Sequence, residues 1–197
     1  MTHRPPPLPT ANRARETEDL IARKATDVAR WSQPENLATQ WDARAAMAAD
    51  WIPEGARVLD VGCGAMALEG ALKPGCRYFP ADVVERRPGC YVIDLNKKEF
   101  PPGGYDWVTF LGVLEYVHDI NWPLARAREA APNLIATYCT YTGDDVESRR
   151  GLGWVNDLRQ AEFEAALKAA GWAVIRQREV KRGFGNIQIM FACERAA

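Results

Sequence analysis

Apolar positions recur along the chain with two different periods, and the change comes near residue 56. Before it the period is helical. Leu20, Ile21, Ala25 and Val28 fall on one face of a first helix. Ser32-Gln33-Pro34-Glu35 then reads as the start of a second: a serine with glutamate three residues on is a capping box, and proline is tolerated in a first turn. Leu37, Trp41, Ala45 and Ala48 share the face that follows. From Ala56 onward short apolar runs predict strands at Ala56–Val61, Arg77–Ala81, Tyr91–Ile93, Trp107–Leu111 and Asn133–Tyr138. Strands alternating with helices or loops imply parallel pairing with crossovers packed on both faces. A helix over Asp157–Ala170 buries Phe163, Ala166, Leu167 and Ala170, with Gly171 as its stop. Strands at Trp172–Glu179 and Asn186–Cys193 are separated by little more than Lys181–Gly185, which makes them an antiparallel hairpin.

The predicted fold is therefore α/β, a doubly wound, mostly parallel seven-stranded sheet of Rossmann-like type that ends in an antiparallel pair. A proline-rich tail (1–10), a helical lid (11–51) and the sheet domain (52–197) are the expected units.

The first strand runs into Val58-Leu-Asp60-Val-Gly62-Cys63-Gly64-Ala65-Met66. Two glycines let the chain turn sharply off the strand and present backbone amides to a ligand. With Ala67 last, the same stretch satisfies the dinucleotide pattern G-x-G-x-x-G/A, so the glycines do not separate nicotinamide binding from other adenosine cofactors. The acids that follow add information. Asp82 closes the second strand, where a carboxylate accepts from ribose hydroxyls. Asp94 closes the third, placed to accept from an adenine amine. Asp60 closes the first, beside the place of an amino acid ammonium. Three acids on one sheet edge suit a cationic adenosine cofactor and match a pyrophosphate poorly.

From about Trp41 to Cys193 the chain resembles the class I S-adenosylmethionine-dependent methyltransferases, small-molecule type. The resemblance rests on Asp60-x-Gly62-Cys63-Gly64, on Asp82, on Asp94 with Leu95, on the Tyr105–Asp119 stretch YDWVTFLGVLEYVHD, and on the terminal hairpin. It implies S-adenosyl-L-methionine as cofactor. Asp60, Gly62, Cys63 and Gly64 would then close on its methionine part, with Cys63 acting through its backbone. Asp82 would hold the ribose, Asp94 and Leu95 the adenine. Leu111, Gly112 and Tyr116 would line the cofactor site, and Trp41 and Arg44 would cover it or reach its carboxylate. Met66 stands where many members carry a third glycine. Its side chain is expected in the helix–sheet packing and its amide free for a ligand.

Methyl transfer needs the acceptor held in line with the methyl group, and a base is an optional addition. His118 is the candidate base, since the other histidine, His3, lies in the tail. Glu115, Tyr138, Tyr141, Trp154 and Asn156 are the candidate substrate residues around the fourth and fifth strand ends. No Asp/Asn-Pro-Pro-Tyr and no Pro-Cys follows the fourth strand, which argues against nucleic-acid amino methylation and cytosine C5 chemistry.

The net charge of −1 gives no bulk case for a polyanionic partner, so nucleic acid is not expected. Arg86, Arg87, Arg149, Arg150, Arg176, Arg178, Lys181 and Arg182 form local basic spots that read as solvated surface. Five scattered cysteines without C-x-x-C point away from zinc and disulfides and towards a reducing cytoplasm. The N-terminal stretch carries no apolar core of signal-peptide length, no apolar run reaches membrane-span length, and Asp144-Asp145 reads as a loop pair rather than a metal site. The expectation is a cytoplasmic methyltransferase acting on an oxygen or nitrogen of a small molecule, with the N-terminal helices available for a homodimer. Two alternatives stay open: a nicotinamide (NAD)-dependent oxidoreductase, from Gly62, Gly64 and Ala67, and a non-catalytic S-adenosylmethionine-binding partner protein, from Met66 and the absence of a sure base.

Overall fold

Strands rich in β-branched and aromatic residues build the sheet in the computed structural model, which describes residues 10–37, 42–143, 146–181 and 187–196. They are β1 (Arg57–Val61), β2 (Arg77–Asp82), β3 (Tyr91–Val92), β4 (Trp107–Leu111), β5 (Asn133–Cys139), β6 (Trp172–Lys181) and β7 (Ile187–Arg195). Their order is β3-β2-β1-β4-β5-β7-β6. The first five pair in parallel, and β7 runs antiparallel between β5 and β6. All seven expected strands are present, as is the terminal pair. The residues 182–186 that join it lie outside those described.

The chain reverses direction across the sheet between β1 and β4, so the carboxyl ends of these neighbours leave a crevice where an open parallel sheet binds ligands. One face of the sheet packs Leu59, Phe110, Leu134 and Phe191 against α5 (Asn121–Ala130) and α7 (Gln160–Ala169). The other packs Val58, Ile135 and Met190 with Ala45, Ala48 and Ile52, so α3 (Asp42–Ala49) shares the core of the sheet.

The N-terminal helices depart from expectation. The first, α1 (Ala11–Arg23), ends early because Lys24 turns left-handed at φ 50°. Ala25 and Val28 leave its face, and Val28 instead opens α2 (Val28–Trp31), capped by Asp27. Ser32 does not open the next helix. Its hydroxyl donates back to the Val28 carbonyl at 2.8 Å, closing α2, and Pro34–Asn36 is a single 3-10 turn. Trp41 and the tail residues 1–9 lie outside those described.

Arg149 and Arg150 are not solvated. They sit on α6 (Val146–Gly151), 2% and 9% exposed, and converge on Asp157. Arg150 also pairs with Glu18, and Thr17 donates to the Arg150 carbonyl at 2.8 Å, so this knot fastens α1 to α6. Asp157 is thereby held outside α7, whose first turn is closed by Glu162 accepting from the Arg159 amide. Arg176 and Arg178 are exposed, on the edge strand β6.

Candidate active site

The glycine loop after β1 is shaped by its backbone. Gly62 lies at φ 72°, and a β-carbon there would sit 2.2 Å from Val113 Cγ2. Gly62 therefore serves close approach as well as the turn. The Gly62 and Cys63 amides both donate to the Ala81 carbonyl, binding the loop to the end of β2. Met66 is held at φ 57° as the cap of α4 (Ala67–Ala71). Its amide is not free for a ligand: it donates to the Cys63 carbonyl at 2.8 Å. Its side chain is half-buried and belongs to neither core cluster nor the cavity wall. The left-handed backbone explains why a third glycine suits this position.

Above the loop, at the carboxyl ends of β1, β2 and β4, opens a cavity of about 1010 Å³ including its mouth. Asp60, Asp82 and Asp94 line it, all buried. Asp60 accepts from Thr109 at 2.6 Å and from Tyr78 at 2.7 Å. Burial raises its carboxyl to about 6, against the hydrogen bonds from Thr109 and Tyr78. Asp82 accepts from the Gly64 amide at 2.8 Å and from Arg86 at 3.0 Å. Asp94 Oδ1 accepts from the Asn96 amide at 3.0 Å and from Thr26 at 2.6 Å.

Gly62, Cys63, Gly64, Leu95, Leu111, Gly112, Tyr116 and Arg44 line the same cavity, so the expected cofactor residues that lie among the described ones come together. Burial pushes the Cys63 thiol up, which suits a residue that contributes backbone. The Arg44 guanidinium lies directly over Gly112, within 2.5 Å of where a β-carbon would be, and donates to Gln188 at 3.3 Å.

The expected substrate and base residues do not line the cavity. His118 sets Nε2 against the Ala25 carbonyl at 3.1 Å, fixing the N-terminal segment. Tyr138 is fully buried, stacked on Phe163, and its hydroxyl donates to Asn156. Asn156 donates to the Leu114 and Val117 carbonyls at 2.7 Å each, bracing the post-β4 turn. Trp154 donates to Tyr116 at 3.3 Å, and the Tyr141 amide to Leu158 at 2.9 Å. Tyr138, Trp154 and Asn156 tie neighbouring segments through their side chains, and Tyr141 does so through its backbone. Glu115 is 1% exposed; Oε1 accepts from the Cys139 amide at 2.8 Å, and Oε2 is buried with no partner among the described residues.

The family model for a methyltransferase domain matches residues 33–177. The chain belongs to this methyltransferase domain family. No curated protein resembles it closely enough in sequence to count as a relative. Solved methyltransferases share its fold. The 1,6-didemethyltoxoflavin-N1-methyltransferase of Burkholderia thailandensis, with 1,6-didemethyltoxoflavin and S-adenosylhomocysteine bound, is 17% identical. That alignment covers 98% of this chain and 92% of that one, with a TM-score of 0.64. The mitomycin 7-O-methyltransferase is 21% identical over 91% of this chain and 60% of that one, with a TM-score of 0.63. The magnesium protoporphyrin IX methyltransferase of Synechocystis, with S-adenosylhomocysteine bound, is 21% identical over 79% and 81%, with a TM-score of 0.59.

Within this methyltransferase fold, the cavity residues not expected from the sequence include Thr26, Trp31, Leu37, Arg86, Asn96 and Val113. Three come from the N-terminal segment, whose place over the crevice no periodicity encodes. Arg86 had one usable signal, an acid four residues before it. Among the described residues there is no metal-binding cluster and no helix long and apolar enough to cross a membrane.

Proposed function

We propose that the protein transfers a methyl group from S-adenosyl-L-methionine to an oxygen or nitrogen of a small-molecule acceptor. The observation that carries this reading is the convergence of Asp60, Asp82 and Asp94 on one cavity at the ends of three strands. The donor set fits a cofactor with an ammonium, a ribose and an adenine. When bound, S-adenosylmethionine supplies a methyl group on a sulfonium, activated for direct displacement.

The chain's own residues supply the rest. Asp60, ionised at neutral pH, faces the ammonium, and Arg44 is the cation for the carboxylate. Asp82 accepts from the ribose, and Asp94 Oδ2, which lies 3.8 Å from Lys97 Nζ, accepts from the adenine amine. The segment from Thr26 to Leu37 acts as a lid that excludes water, and the fixed turn at Gly112–Tyr116 orients the acceptor. Glu115 lies off the cavity wall and holds the Cys139 amide, so positioning of the acceptor carries the step without an assigned base. His118 is assigned to the lid, through Ala25.

The nicotinamide reading is disfavoured by the same site. A pyrophosphate would meet three carboxylates, the Met66 amide is already spent on Cys63, and α4 is a single short turn. The names of two fold neighbours give an N1 and a 7-O position as the methylated atoms, which supports a small acceptor without choosing its atom. The test is transfer of an isotopically labelled methyl group from S-adenosylmethionine into a cell extract separated by size. Label in the low-molecular-weight fraction supports the reading. Label only in nucleic acid or protein contradicts it.

A further inference from the structure

Arg86 follows β2 in the bend after Asp82, and its side chain is 9% exposed. One end of its guanidinium donates to Asp82 Oδ1 at 3.0 Å, and the other to the main-chain oxygen of Trp31 at 2.9 Å. Its Nε–H is buried with no acceptor among the described residues. Asp82, Arg86 and Trp31 all line the cavity. A planar fork with two fixed partners and a spare donor at a ligand wall is a built feature, not a solvated charge.

From this juxtaposition we propose that Arg86 is a cofactor-positioning residue: it aims the ribose acid Asp82 and ties the Trp31 main chain over the cavity, so that the N-terminal segment closes on bound adenosine. The proposal rests on the cofactor reading above. Asp82 is gripped from both sides, by Arg86 on Oδ1 and by the Gly64 amide on Oδ2 at 2.8 Å, so the carboxylate cannot rotate away from the ribose. The Val84 amide at 3.3 Å and the Cys63 thiol at 4.0 Å also reach Asp82, and these longer contacts are the ones that ribose hydroxyls would replace. The spare Nε–H is the donor left for a ribose oxygen. Thr26 makes a second tie of the same segment, to Asp94 at 2.6 Å, so both adenosine acids are linked to the covering segment, Asp94 directly and Asp82 through Arg86.

The full chain as wild type, Arg86→Ala and Arg86→Lys would be titrated with S-adenosylhomocysteine and with its analogue lacking both ribose hydroxyls. Each would then be digested with chymotrypsin, which cuts after Trp31, with and without ligand. Arg86→Lys keeps a charge for Asp82 but not the fork, and thermal melts confirm that each variant is folded. The expected result is at least a tenfold loss of S-adenosylhomocysteine affinity in Arg86→Ala and less than threefold for the analogue. Ligand should protect the Trp31 cut in wild type and not in Arg86→Ala, with Arg86→Lys lying near Arg86→Ala. Wild-type binding with an unchanged affinity in Arg86→Ala, or an equal loss for both ligands, overturns the proposal alone. Failure of wild type to bind S-adenosylhomocysteine overturns the cofactor reading and this proposal with it.

Discussion

The amide of Met66 donates to the carbonyl of Cys63 across 2.8 Å, and this bond closes a turn in which the methionine sits at φ 57°. A side chain in left-handed backbone costs on the order of 1–2 kcal/mol, partly offset here because glycine would lose more freedom on folding. Met66→Gly is expected to raise stability by up to about 1 kcal/mol and to leave cofactor affinity within twofold. Urea denaturation and a calorimetric titration check the two halves. A large destabilisation would show that the thioether packs in a way the left-handed turn alone does not explain.

Asp60 gives the site a pH dependence. Its carboxyl is raised from 3.8 to about 6 by burial, against the pull of Thr109 and Tyr78 and with smaller effects from Asp82 and Arg44. An acid with a raised folded pKa binds its proton more tightly when folded, so stability falls as pH rises from 3.8 towards 6. Ammonium binding needs the ionised form and runs the other way. Affinity for S-adenosylhomocysteine should be flat above neutrality and fall below pH 6. Asp60→Asn should leave the ligand-free protein at least as stable at pH 7, by up to ~3 kcal/mol, while weakening the ligand. A pH-independent affinity between 5 and 8 would remove Asp60 from the ammonium site.

Gly112 makes room for Arg44. A β-carbon there would meet the guanidinium at 2.5 Å, at a backbone φ of 76°. Gly112→Ala should push Arg44 out of the cavity and weaken S-adenosylhomocysteine by tenfold or more. It should weaken 5′-methylthioadenosine, which lacks the carboxylate, far less. Equal losses for both ligands would place Arg44 elsewhere than at the carboxylate.

The Arg149–Arg150–Asp157 knot is structural. Burial alone would raise Asp157, but hydrogen bonds and charge from Arg150 and Arg149 outweigh it and hold the carboxyl below its ordinary value. Asp157→Asn should cost on the order of 3 kcal/mol at neutral pH, as loss of one partner strands the buried arginines. The gap between variant and wild type should shrink as pH falls below 3.8, because the stability carried by a depressed carboxyl is lost there. Urea melts across pH measure both.

The parts of this fold that were legible in the sequence are those written in period and punctuation. Strand runs such as Trp107–Leu111 carry β-branched and aromatic residues between turn signals, and Asp60, Asp82 and Asp94 each close such a run. The hairpin followed from the shortness of its connection. The N-terminal segment was not legible, because its breaks are tertiary. Ala25, Thr26 and Trp31 are fixed by His118, Asp94 and Arg86, partners from 55 to 93 residues away. Polar residue types also misled. Tyr138 and Asn156 look like pocket chemistry and serve as braces, while Arg149 and Arg150 look like surface charge and are buried, and Arg86 is half-buried at the cavity wall. Which end of a side chain meets water is decided by packing, and spacing does not record it.

The most direct measurement is a calorimetric titration of wild type and Asp82→Ala with S-adenosylhomocysteine and with NAD, alongside His118→Ala. The predicted result is wild-type binding of S-adenosylhomocysteine and not of NAD, a loss of tenfold or more in Asp82→Ala, and little change in His118→Ala. Binding of NAD instead, or equal S-adenosylhomocysteine affinity in wild type and Asp82→Ala, would contradict the assignment of the three-carboxylate cavity to S-adenosylmethionine.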